Sequence, residues 1–87
     1  MEFEWDEAKR TANLAKHGLD FADIAGLDWL HAIILPDLRA DYGEHRFQAF
    51  AQHDGRLRQV TFTLRGQVFR IVSFRHANRK ERKLYGP

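Results

Sequence analysis

The fold is decided by the stretch HRFQAFAQHDGRLRQVTFTLRGQVFRIVSFR, residues 45–75. It divides at two turn signals. Asp54-Gly55 is a pair favoured in two-residue hairpin loops, where both positions adopt positive φ, and Arg65-Gly66 offers a second turn. Around them lie three runs, 45–52, 57–64 and 67–75. In the middle run Val60, Phe62 and Leu64 alternate with Thr61 and Thr63, which makes one face apolar and the other polar. The last run carries Phe69 and Ile71 on one face and Val68, Val72 and Phe74 on the other, the pattern of an interior strand. A three-stranded meander is the expected result. On plain alternation Phe69, Ile71, Ser73 and Arg75 share a face, which brings a hydroxyl and a fixed cation to the end of a packed strand.

Working outward, residues 31–35 are a short apolar run closed by Pro36 and read as a further strand, with 37–44 a polar loop containing Gly43. Upstream, Asp6 is placed to cap a helix over residues 6–17. Its apolar side would be Trp5, Ala8, Ala12 and Ala15, its last turn holds Lys16 and His17, and Gly18 supplies a left-handed stop. Asp20 opens a second helix with Phe21, Ile24 and Ala25 on its apolar side, weakened by Gly26 and ended near Trp29. Residues 3–5 read as an edge strand. Downstream, Asn78 caps a terminal helix reaching Tyr85, with Glu81 in the capping-box position. The order β-α-α-β-β-β-β-α makes an α+β fold in which N-terminal helices pack on an antiparallel β-sheet with a C-terminal helix. At 87 residues, residues 1–87 form one domain that buries only roughly 60% of its unfolded surface.

Composition excludes several classes. With 44% hydrophobic and 30% charged residues the chain is globular and not disordered. No apolar run approaches a membrane span, and the acidic start lacks the order of a secretory signal. Absence of cysteine removes a disulfide framework, a thiolate metal site and a thiol nucleophile, and fits a reducing, cytoplasmic setting. The net charge of +2 hides a polarity. Residues 1–44 carry ten acidic and four basic groups, whereas 45–87 carry two acidic and ten basic ones, eight of them arginine. Such a split points to a surface for polyanions or an acidic partner, and arginine's planar fork suits phosphate. Mutual neutralisation of the two halves within the fold is the alternative.

Among groups able to carry chemistry, Arg75 sits at the end of the doubly apolar strand, and Arg70, Arg79 and Arg82 extend the positive field along the strand and the terminal helix. Lys16 and His17 lie together at a helix end. Imidazole suits proton transfer near neutrality, although a helix C-terminus also favours histidine structurally. His31, His45, His53 and His76 show no ligand spacing, so neither a metal nor another cofactor is expected.

The segments Phe3-Glu-Trp-Asp-Glu-x-Lys9, Asn13-x-x-Lys16-His17-Gly18-x-x-Phe21 and Arg70-Ile-Val-Ser73-x-Arg75-x-Ala77-x-x-x-Glu81-x-x-x-Tyr85 resemble the BrnT toxin family over nearly the whole chain. Two stretches depart from its pattern, Gln52-His53 and Leu27-Asp-Trp-Leu30. The resemblance implies a RelE-like fold and a toxin of a type II toxin–antitoxin module that acts as a ribonuclease and arrests translation. It also implies a BrnA-type antitoxin with a ribbon-helix-helix-like DNA-binding part, so that operator DNA is reached only through the antitoxin and no membrane is involved.

A metal-independent ribonuclease that uses the substrate's 2′-hydroxyl needs a base, a cation at the phosphate and an acid for the leaving oxygen. His17, Arg46, Arg75 and Tyr85 are the expected catalytic set, and Lys16, Arg70, Arg79 and Arg82 the expected RNA-binding set. Tyr42 and Tyr85 are available to stack a splayed base. A non-catalytic module that completes a repressor complex with a DNA-binding partner is the competing reading. A stand-alone RNA-binding domain would explain the basic half but not the acidic one.

Overall fold

A computed structural model describes residues 1–86, so Pro87, the end of the expected domain, lies outside the described residues. The elements are β1 (Glu2–Glu4), α1 (Glu7–His17), two 3₁₀ turns (Phe21–Gly26 and Trp29–His31), β2 (Ile33–Pro36), β3 (Arg46–His53), β4 (Arg56–Arg65), β5 (Val68–His76) and α2 (Arg79–Tyr85). One sheet runs in the order β1-β5-β4-β3-β2. Strands β2 to β5 form the antiparallel meander, turning at Asp54-Gly55 with both residues at positive φ. β1 instead pairs parallel with β5 over Glu2–Glu4. The sheet is therefore mixed and not purely antiparallel. No hairpin joins β1 to β5, so turn chemistry does not set its direction; the crossover through α1 does.

The second expected helix is corrected to 3₁₀ geometry. Asp20 caps it as expected, accepting from the Ala22 N–H at 3.0 Å. Its buried residues, however, are Phe21 and Ile24, followed by the buried C-cap Leu27; the spacing of three is the repeat of a 3₁₀ turn and not of an α-helix. These side chains pack on Ala49, Ala51, Val60, Phe62, Ile71 and Phe74 of the sheet to make the main core. The short strand also shifts. It begins at Ile33, His31 lies in the preceding 3₁₀ turn, and Pro36 is the strand's last residue and not a stop before it. An edge strand tolerates that proline.

Helix α1 forms where expected, with Asp6 accepting from the Ala8 and Lys9 N–H groups and Gly18 left-handed at its end. Its inward side differs from the expectation. Ala8, Ala12 and Ala15 are exposed, whereas Asn13 is buried and Arg10 and His17 are half-buried. Polar anchors decide the docking. Arg10 holds Asp20 through two bonds of 2.7 and 2.9 Å. The Asn13 amide donates to the Phe74 carbonyl at 2.8 Å and accepts from the Phe74 N–H at 3.0 Å. The side chain thus takes the place of a neighbouring strand where β1 has ended, and satisfies backbone groups that would otherwise be buried unpaired.

A bulge in β5 overturns plain alternation. Thr61 faces Ser73 but Phe62 faces Ile71, which leaves Val72 without a partner. Ile71 and Phe74, three apart, consequently both enter the main core. Beyond the bulge Arg75 falls on the face opposite to Phe69 and Ile71, not on theirs. Helix α2 closes that second face. The Asn78–Glu81 capping box is complete, and Phe50, Leu57 and Ala77 form a smaller core against Leu35 and Tyr85.

Candidate functional site

The face of the sheet away from the main core is polar. Directly opposed residues point to the same side, so the register lays out three rows: Arg46–Thr63–Arg70, Gln48–Thr61–Ser73 and Phe50–Gln59–Arg75. Gln59 is fully buried in this face and donates to Gln48 Oε1 at 3.1 Å and Thr61 Oγ1 at 2.9 Å. The first of these bonds ties β3 to β4 across the floor, while the Gln59 Oε1 is buried without a hydrogen-bond partner. Helix α2 walls one end, with the Tyr85 ring stacked on Phe50 at a centroid distance of 4.3 Å. Arg39, Gln48, Phe50, Arg75, Glu81 and Tyr85 line a cleft of about 360 Å³ there.

Two carboxylates clamp two of the arginines. Arg75 donates to both oxygens of Glu81 at 2.7 and 2.9 Å, and its Nη1 also reaches the His76 carbonyl at 3.1 Å. The Arg75 guanidinium, followed by the Asn78 N–H, holds the Glu81 carboxyl below the usual carboxylate range against the opposing effect of burial. Arg39 donates to both oxygens of Asp37, each at 2.7 Å, and lowers that carboxyl in the same way. The two clamps are neighbours, since the charge of Arg39 is felt at Glu81.

Arg46 is different. Its guanidinium carbon lies 3.9 Å above the Tyr42 ring centroid, and its buried Nε has no hydrogen-bond partner. Among the described residues no carboxylate forms a direct ion pair with it, although its charge is felt at Asp37, which Arg39 already holds. A cation held by a ring and a strand, with donors left over, is preorganised for an external anion.

His17, at the end of α1, borders the same face and lines a shallow cleft with Lys9, Asn13, Lys16, Val72 and Ser73. Partial desolvation, then Lys16, then Arg75, push its pKa below 6.5. The shift favours the neutral ring, which is the form that accepts a proton.

The expected site residues thus separate into groups. His17, Arg46, Arg75 and Tyr85 all lie on the polar face or its rim, with Lys16 beside His17. Arg70 shares a row with Arg46 and pairs with Glu4 at 3.5 Å. Arg79 is exposed at the start of α2. Arg82 turns away from this face, donates to the Ala77 carbonyl at 2.7 Å and lines a different cleft with Arg56 and His76. Sequence reasoning missed the Asp37–Arg39 clamp and the Gln48–Gln59–Thr61 floor. The floor had a signal in the polar alternation of β3 and β4, and the clamp had only the short spacing Asp37-x-Arg39.

Among the described residues no three His, Asp or Glu side chains gather as a metal ion would require. Of the ion pairs there, one, Glu4–Arg70, joins the acidic half of the chain to the basic half. The two halves therefore stay largely unneutralised by direct pairing. No helix of the described residues is long and apolar enough to cross a membrane.

Residues 5–81 match the family model described as "Ribonuclease toxin, BrnT, of type II toxin-antitoxin system". No curated protein gives a significant match to the chain.

Proposed function

Because the chain belongs to the BrnT family of ribonuclease toxins of type II toxin–antitoxin systems, we propose that it cleaves RNA internally on the polar face of its sheet, without a metal, and so arrests translation in the cytoplasm. The observation that carries this reading is Arg46, a cation fixed over Tyr42 with no direct ion pair among the described residues, the nearby Asp37 being held by Arg39. In the proposed reaction His17, in its neutral form, takes the proton of a 2′-hydroxyl. The 2′-oxygen then bonds to the adjacent phosphorus while the bond to the 5′-oxygen breaks. Tyr85 supplies the proton that the leaving oxygen needs. Arg46 and Arg75 offset the charge that builds on the phosphoryl oxygens. The products are a 2′,3′-cyclic phosphate and a 5′-hydroxyl, which balances atoms and protons. Arg70 and Lys16 lie where flanking phosphates would pass.

The sheet with its two helices is read as RelE-like. A toxin of this class has an antitoxin partner, and a BrnA-type protein with a ribbon-helix-helix-like DNA-binding part is proposed here. An acidic segment of that partner would meet Arg46 and mask it, and operator DNA would be bound through the partner alone.

A second reading has one observation in its favour: Arg75 and Arg39 already hold carboxylates, as they would in a non-catalytic module built only to complete a repressor complex. Expression of the chain alone separates the two. Growth arrest with mapped RNA breaks, lost in Arg46→Ala, supports the nuclease. A chain that neither arrests growth nor cuts RNA supports the binding module.

A further inference from the structure

A second cationic cleft, separate from the one that Tyr85 lines, is bordered by Arg82 of α2, and the reaction above makes no use of it. It measures about 540 Å³ and is lined by Gly55, Arg56, Leu57, His76, Ala77 and Arg82. That volume is in the range of small-ligand sites. Its walls come from three segments: the hairpin turn into β4, the end of β5 and the middle of α2. The Ala77 N–H bonds to the Leu57 carbonyl at 3.1 Å and ties two of these walls together. Arg82 is anchored on the third by its 2.7 Å bond to the Ala77 carbonyl.

His76 is held in one chemical form. Arg58 is buried, at 6% exposure, and its Nη1 lies 2.8 Å from His76 Nδ1. A guanidinium only donates, so Nδ1 must be the acceptor and the proton of the neutral ring resides on Nε2. Desolvation, then Arg58 and Arg56, lower the ring's pKa and so favour that neutral form. The charged groups around it are the cations Arg58, Arg56 and Arg82 with the titratable His17, and among the described residues no carboxylate lines the cleft. The Nε of Arg58 is buried without a hydrogen-bond partner, and Arg58 makes no ion pair among the described residues.

We propose that this cleft binds a phosphate group, received by His76 Nε2–H together with Arg56 and Arg82, and that in the folded toxin it holds the RNA backbone a short distance from the point of cleavage. Donors arriving from a strand end, a turn and a helix approach from different directions, which suits a tetrahedral oxyanion better than a planar carboxylate. Arg75 and His76 are adjacent in β5, so a phosphate seated at His76 is coupled through one peptide unit to the Arg75 side of the sheet. The assignment of RNA as the source of the phosphate rests on the proposed function, whereas capture of a phosphate does not.

The test is a titration of histidine-labelled protein followed by nitrogen-resolved NMR of the imidazole rings. Without ligand, His76 should show a protonated Nε2 and an unprotonated Nδ1. Inorganic phosphate, and separately a short 2′-O-methyl RNA that cannot be cleaved by its own 2′-oxygen, should each shift the His76 signals saturably. Affinity should fall about tenfold in Arg56→Gln, which loses one charge-assisted donor. Arg56 is exposed, and a melting temperature equal to that of the parent confirms the variant's fold. The opposite tautomer, no saturable shift with phosphate, or an equal shift from hexaglutamate would overturn the phosphate site. A shift with phosphate but none with RNA would keep the site and overturn its RNA source. The readout is binding, so a chain that cuts no RNA yet binds phosphate at His76 defeats the proposed function and leaves this site standing.

Discussion

Arg46 and Arg75 differ in what their guanidinium groups already hold, and the difference separates their predicted effects. Arg46 rests on Tyr42 and forms no direct ion pair with a carboxylate among the described residues. Arg46→Ala should lower RNA cleavage by roughly 10²–10³, while removing only a cation–π contact of about 0.5–1 kcal/mol. Cleavage rates set beside thermal melts check this, and full activity in the variant would take Arg46 out of the site. Arg75, proposed for the site, also braces β5 against α2, since its side chain is 23% exposed and that of its partner Glu81 only 14%. Arg75→Ala leaves a partly buried carboxylate without its partner and should cost about 1–3 kcal/mol of stability. The paired variant Arg75→Ala/Glu81→Ala should recover part of that stability and none of the activity. A paired variant that still arrests growth would show Arg75 to be a structural brace between β5 and α2. The sequence made Arg75 prominent because of the apolar strand before it. The clamp on it could be foreseen as an alternative, since Glu81 sits six residues on, but nothing in the spacing shows which role the fork serves.

At the scale of elements, local chemistry was legible and tertiary pairing was not. Asp6 with Gly18 and Asn78 with Glu81 bound their helices as read, and Asp54-Gly55 turned its hairpin, because each signal acts within a few residues. Three features escaped for one physical reason: long-range contacts set them. The parallel direction of β1 depends on the α1 crossover, the 3₁₀ geometry at 21–26 depends on packing onto the sheet, and the bulge at Val72 depends on register with β4. The bulge matters most for the proposed site, because it moves Arg75 from the core-side face to the polar one. Asn13 is the clearest case of a residue whose part is invisible locally, as it bonds the backbone of a strand 61 positions away. Asn13→Ala should destabilise the chain by about 1–3 kcal/mol, because it strands buried groups of Phe74. Denaturant unfolding at equilibrium measures it, and an unchanged midpoint would show that the α1–β5 seam is held by something else.

For the whole molecule, charge and its pH dependence give the remaining expectations. Asp20, Asp37 and Glu81 are each held below their ordinary values by arginine partners. Such groups stabilise the fold above the unfolded carboxylate range of about 4 and lose that contribution as pH falls through their folded values. His17 and His76 are also lowered in the fold. The unfolded chain then binds their protons first, so stability declines as pH drops below about 6.5 toward the folded values. Melting temperature should therefore be flat above about pH 7, ease downward through the histidine window and fall more steeply below about pH 4. A melting temperature that rises on acidification would contradict both assignments. RNA affinity should weaken with added salt, and Arg46→Ala should reduce the slope by about 0.7 if one phosphate contact is lost.

The chemistry of the cut ends distinguishes a metal-independent 2′-oxygen attack on the polar face from other routes of cleavage. Purified protein is incubated with a defined RNA and with the same strand carrying a single 2′-deoxy position at the mapped break, both with a chelator present. The cut RNA should carry a 2′,3′-cyclic phosphate and a 5′-hydroxyl, the deoxy position should stay uncut, and Arg46→Ala should lose cleavage. Ends bearing a 3′-hydroxyl and a 5′-phosphate, or undiminished cleavage at the deoxy position, would contradict attack by the 2′-oxygen.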